Sequence, residues 1–287
     1  MTMDTWNGIP IIDDQTPDSF VFDPSYARGA EPRDYAVQPA EMMAAPSEFN
    51  LPKPEEWDEY DRVLVREEAT LHHVVLRARE KGRFKDCYQN GHPFCWSHST
   101  AHGIMVAREV ANQPPVKISA YMLACLSDGR GYQNKGGWSA LSAMTAETIG
   151  ACPEPMWQEG KTSRSLDTPA MRAEAAKYKI TEPMVDLTRD VYFRNLPFEM
   201  VIGCLLTGRP VMVDFNWWGH AVLGVRAVKI EDGSWGIMIL NSHGLNWGDR
   251  GFGILRGSRA RPDGAVAVNT VQKTVSAVAS PEAKLAA

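Results

Sequence analysis

Gln89-Asn90-Gly91-His92-Pro93-Phe94-Cys95-Trp96-Ser97 sets a glutamine six positions ahead of a cysteine that can open a helix. A cysteine that attacks a carbonyl must reach its thiolate, and it needs hydrogen-bond donors aimed at the oxyanion that forms. A helix N-terminus at Cys95 lowers the thiol pKa. The Gln89 side-chain amide and the Cys95 backbone N–H can together supply the donors.

Two partners stand downstream. His220 lies in Trp217-Trp218-Gly219-His220-Ala221-Val222-Leu223-Gly224-Val225, ahead of a strand of small residues. Asn241 lies in Ile239-Leu240-Asn241-Ser242-His243-Gly244-Leu245-Asn246-Trp247-Gly248. By general rules for activated nucleophiles, His220 takes the thiol proton and later protonates a leaving amine, while Asn241 orients the imidazole. Each residue alone has a bland reading. Buried cysteine is usually packing, a histidine before an apolar strand is usually core, and Asn-Ser-x-Gly is a turn. Their joint order and spacing carry the site.

These four blocks resemble the papain-like cysteine peptidases. His220 and Asn241 follow Cys95 by 125 and 146 residues, close to the roughly 130–150 of that family. The resemblance implies an α+β, papain-like two-lobe fold, with a helical lobe, a β-barrel-like lobe and the active-site cleft between them. It implies thiol peptidase activity through an acyl-enzyme on Cys95, with Gln89 in the oxyanion hole. Gly136 and Gly137 resemble the glycine pair on the cleft floor, where a missing Cβ lets a substrate backbone approach, and Trp96 and Trp247 join them as substrate-binding candidates. Gly-Gly is equally a plain turn.

Three departures stand out. His243 replaces the aromatic that follows Asn-Ser in the family, so the Asn241–His220 bond is expected to be wetter. His92 and Asn134 occupy the positions of a family disulfide, so no bridge is expected near Cys95. Only four residues separate Phe215 from His220, so part of one cleft wall should be missing or replaced by Trp217 and Trp218.

Cys95, His98 and His102 share a helix face with His92 nearby, but no acidic or cysteine ligand completes a zinc pattern, and position 98 should point into the core. No metal or cofactor is expected. A net charge of −5 without a basic run argues against a nucleic-acid partner. No apolar run approaches the ~18 residues of a membrane span, and the start at Met1-Thr2-Met3-Asp4 lacks a secretory signal pattern. Cys87, Cys95, Cys125, Cys152 and Cys204 are odd in number and lack the family's partners, which fits a reducing cytoplasm or a particle assembled in one.

The chain reads as four segments. Residues 1–54 form an extended arm, because Pro10, Pro17, Pro24, Pro32, Pro39, Pro46, Pro52 and Pro54 forbid a long helix. Residues 55–86 hold one amphipathic helix over 55–81 and a connector. The peptidase-like domain spans 87–274, and 275–287 is an Ala-rich tail. Short apolar clusters between the arm's prolines suggest anchors for protein partners in a large assembly, such as a phage or virus particle, with self-wrapping as the alternative; an inhibitory pro-segment is not expected, because 1–54 supports no helical subdomain. The rival to a peptidase acting on peptide or protein substrates is therefore a structural virion-like protein whose cleft is idle or only binds.

Overall fold

The computed structural model describes residues 3–35, 43, 49–180, 184–188 and 197–269. The tail at 275–287 lies outside the described residues.

The central element is α4 (Cys95–Val110), buried on every side from Cys95 to Ala107, as expected for a helix without a polar face. Around it stand α5 (Ala120–Leu126), capped by Ser119 accepting from the Met122 N–H, and α6 (Ser139–Thr148). Small hydroxyl residues close the α4–α6 seam. Ser99 Oγ meets Ser139 Oγ at 3.0 Å, and Thr100 Oγ1 meets Ser142 Oγ at 2.7 Å. These pairs satisfy buried polar groups without separating the helices. The stretch after 150 holds short turns and α7 (Pro169–Ala175).

The sheet comprises β1 (Thr5–Trp6), β2 (Ile9–Ile12), β3 (Val185–Asp186), β4 (Val211–Phe215), β5 (His220–Lys229), β6 (Trp235–Leu240), β7 (Phe252–Leu255) and β8 (Gly264–Ala267), in the order β1-β2-β7-β6-β5-β4-β8-β3. α8 (Pro197–Leu206) packs against β5. Asp214 on β4 ties sheet to helices, accepting from Ser139 N–H at 3.0 Å and Ser139 Oγ at 2.7 Å.

Two expectations upstream of the domain need correction. Residues 55–81 are not one helix but two, α2 (Trp57–Arg66) and α3 (Leu71–Glu80). The apolar repeat continues from Leu64 to Leu71, yet Glu68 adopts φ +49° and Thr70 is extended, with its side chain accepting from His73 N–H. A threonine N-cap restarts the helix.

The arm, for its part, packs on its own domain. β2 pairs in parallel with β7, and Ile9, Ile11, Ile12 and Val21 are buried. α1 (Asp18–Val21) follows. These apolar residues are occupied within the chain itself.

Candidate active site

Cys95 begins α4 behind Phe94, which gives no side-chain cap. The free N-terminal amides therefore face the nucleophile's end of the helix. The sulphur is fully buried. Burial dominates its titration and pushes the thiol up to about 12, with the charge of Asp214 adding to it. The amides of Ala221, Gly29 and Trp96 point at the sulphur and pull the other way. His220 opens β5 opposite Phe215 of β4, and its neighbour Ala221 is the residue whose amide faces the sulphur.

Hydrogen bonding fixes the orientation of the Asn–His pair. Asn241 Oδ1 accepts the Ser242 N–H at 2.8 Å, which identifies the oxygen end of that amide. The same oxygen lies 2.8 Å from His220 Nε2, so Nε2 carries the hydrogen. His220 Nδ1 is left as a buried lone pair with no hydrogen-bond partner. Burial, then neighbouring His243, drives His220 well below 6.5 against the opposing Asn241 bond. Thiol and imidazole are thus both neutral here. The expected imidazolium–thiolate pair is not favoured in this closed form, because no water reaches either charge.

Gln89 is buried with both amide hydrogens in use. Its Nε2 donates to His92 O at 2.9 Å and to Ala27 O, in the arm, at 2.7 Å. Its Oε1 accepts from Ser242 Oγ at 2.5 Å. Ser242, which the sequence reading did not single out, therefore braces both Gln89 and Asn241. Asn-Ser as a two-residue bracket between two site amides was the available signal.

The arm crosses this site. Gly137 N–H donates to Gly29 O at 2.9 Å, Glu31 N–H donates to Gly137 O at 2.8 Å, and Ala30 N–H donates to Gly219 O at 3.0 Å. A Cβ on Gly29 would sit 2.1 Å from Pro93 O, and one on Gly136 would sit 2.5 Å from Gly29 O. The glycines thus let two backbones touch, and the pair at 136–137 forms a floor on which residues 29–31 of the arm lie. Trp96 is fully buried beneath Gly137, whose Cβ would strike its ring at 2.7 Å. It supports the floor and is not on the cleft surface. Trp247 packs against Phe20 of the arm, with ring centroids 5.9 Å apart. Trp217 and Trp218 are stacked at 5.4 Å, and Trp218 Nε1 donates to Val21 O at 2.9 Å.

His243 corrects another expectation. It does not wet the Asn241–His220 bond. The ring is 5% exposed and stacks on His220 at 4.4 Å on one side and Tyr26 at 4.6 Å on the other. Burial pushes it down to about 4, against the bond to Ala27. A neutral imidazole does the flat covering work of an apolar aromatic.

The two positions of the family disulfide are joined differently, with His92 Nδ1 2.9 Å from Asn134 Oδ1. All five cysteines are free and buried. His98 sits edge-on to Tyr121 at 5.6 Å in the core, as its position suggested, and His102 Nε2 accepts the Cys87 N–H at 3.0 Å. Among the described residues no group of three potential ligands could hold a metal ion, and no helix is long and apolar enough to cross a membrane.

A scan against protein-family models finds no match, and neither does a search of curated proteins. Solved structures do match. Xylellain, a cysteine protease from Xylella fastidiosa, aligns with TM-score 0.51 at 20% identity over 66% of this chain and 84% of that one. Procathepsin L 3 of the Tenebrio molitor larval midgut aligns with TM-score 0.54 at 13% identity over 88% and 77%. The fold is papain-like. Bromelain from Ananas comosus aligns with TM-score 0.50 at 15% identity over 68% of this chain and 96% of that one. At such identities the likeness fixes the architecture and leaves the chemistry to the residues.

Proposed function

We propose that the chain is a thiol peptidase, held latent in this form by residues 26–31. The observation that carries the reading is the Ser242–Asn241–His220 relay, which leaves a bare Nδ1 lone pair on the residue next to Ala221, whose amide faces the buried Cys95 sulphur.

With the arm lifted, water lowers the cost of charge, and the Cys95 proton passes to His220 Nδ1. The thiolate attacks the scissile carbonyl carbon. The oxyanion takes hydrogen bonds from Gln89 Nε2–H and the Cys95 N–H, at the helix N-terminus. The C–N bond breaks as His220 returns its proton to the amine. Water, deprotonated by His220, then releases the acid from the thioester and restores the thiol. Gly136 and Gly137 bind substrate backbone where they now bind the arm. Free cysteines throughout fit a reducing compartment or a particle assembled in one.

The closed cleft and neutral thiol favour one other reading, a structural component of a large assembly whose cleft stays shut. Labelling with a peptidyl epoxide followed by peptide mapping separates the two. A peptidase yields an adduct on Cys95 once the arm is loosened, and a permanently closed scaffold yields none.

A further inference from the structure

His243 stands where an inert aromatic would be enough to cover His220, yet both of its nitrogens are engaged. Its Nε2 lies 3.0 Å from Ala27 O. A carbonyl only accepts, so Nε2 carries the hydrogen and, in the neutral ring, Nδ1 is a bare acceptor. Nδ1 lies 3.2 Å from Asn241 Nδ2. That contact is a hydrogen bond in one sense only, because Ser242 already fixes the nitrogen end of the Asn241 amide. The Nε2–H tautomer of His243 and the orientation of Asn241 therefore require each other. The Ala27 oxygen is shared with Gln89 Nε2 at 2.7 Å. Two neutral donors from separate parts of the chain converge on one backbone carbonyl.

We propose that His243 is a working member of the site: its Nδ1 holds Asn241 in the orientation that fixes His220, and its Nε2–H joins the Gln89 amide as a two-donor seat for the scissile carbonyl of the peptide substrate, the oxygen that becomes the oxyanion. In the closed form Ala27 fills that seat. The carbonyl of a bound peptide takes it when the arm leaves. The seat demands a neutral ring, since a doubly protonated imidazole would turn Nδ1 into a donor facing the Asn241 amide hydrogens. Stacking between His220 and Tyr26 excludes the water that a charged ring would need.

The inference rests on the peptidase reading for its substrate, and its test separates the two. Histidine nitrogen-15 NMR on the full wild-type chain reads the tautomers without any activity. The expected spectrum at neutral pH shows His243 protonated on Nε2 alone, and a ring protonated on Nδ1 overturns the proposal. The kinetic arm uses full-length protein loosened by Arg33→Ala, with fluorescein-labelled casein as the probe. In that background His243→Phe, which keeps the stack and loses both bonds, is expected to cut turnover at saturating casein about 10-fold or more. Alkylation of Cys95 by iodoacetamide, which needs the oriented His220 but no carbonyl seat, should fall clearly less than casein turnover does. His243→Gln, which offers an acceptor and a donor on one amide, should recover part of the loss. Wild-type turnover in His243→Phe, or no advantage of Gln over Phe, overturns the proposal. If Arg33→Ala with His243 intact digests no casein, the peptidase reading fails by itself and the tautomer spectrum still decides the role of His243.

Discussion

Arg33→Ala is the sharpest way to open the site, because the arm is pinned just beyond the cleft by a buried ion pair. Arg33 Nη1 lies 2.7 Å from Asp186 Oδ2, with the side chains 5% and 0% exposed. Asp186 Oδ1 is separately held by Thr188 N–H at 3.0 Å and Thr188 Oγ1 at 2.9 Å. Removing the guanidinium leaves Oδ2 buried without its cation as long as the arm stays down. Breaking one side of a buried pair costs about 3–5 kcal/mol. Lifting the arm lets water reach Asp186, so the penalty falls mainly on the closed state. At the low end, ~3 kcal/mol raises the open population about 100-fold, since each 1.4 kcal/mol is tenfold. The assay is the second-order rate of Cys95 alkylation by iodoacetamide at neutral pH, with modified peptides mapped. We expect a rise of about two orders of magnitude, and a return most of the way when Asp186→Asn is added, because removing both charges is close to neutral. A rate for Arg33→Ala within about twofold of wild type would refute the claim that this pair holds the cleft shut.

Other consequences follow from the same geometry. Gln89→Ala in the Arg33→Ala background should lower casein turnover by ~10²-fold. It should also cost about 1–3 kcal/mol in urea unfolding, because Ser242 Oγ loses a buried partner. Stability should fall as pH drops from 6.5 towards 5. His72, His102 and His243 are pushed down to about 3, 4 and 4, and His98 and His220 lie well below 6.5, so an unfolded chain takes up protons that the native chain refuses. Asp214 and Glu147, both raised to about 7, act in the opposite direction by binding protons in the native state. The net of roughly three protons gives a ceiling of about 4 kcal/mol per pH unit. Urea midpoints that stay flat or rise between pH 7 and 5.5 would contradict this assignment. Thermal midpoints should be unchanged by reductant, since the cysteines are free, and a reductant-dependent shift would reveal a bridge.

Much of the site was legible because it depends on local order. Gln89 and Cys95 share one turn and one helix start, and His220 and Asn241 each sit at a strand end whose apolar run marks it. The fold class follows from the same blocks. The path of the arm was not legible, because proline spacing rules out a helix without saying what covers an extended chain. One clue was available in Asn7-Gly8, flanked by Trp6 and Ile9. Both residues adopt positive φ, 49° and 82°, in the hairpin from β1 to β2, and Asn-Gly is the strongest short hairpin signal. The break at Thr70 was hidden because the apolar repeat passes through it. The roles of Ser242 and His243 could not be read, since they turn on which end of an amide faces which nitrogen.

The central claim is that Cys95 and His220 form a competent nucleophile once residues 26–31 lift away. The direct measurement is peptidyl-epoxide labelling of the full-length Arg33→Ala chain, with the adduct located by peptide mapping, alongside the same protein carrying His220→Ala. Modification confined to Cys95 and abolished by His220→Ala is the expected result. Labelling spread evenly over Cys87, Cys95, Cys125, Cys152 and Cys204, or an unlabelled Cys95 in a demonstrably open chain, would contradict it.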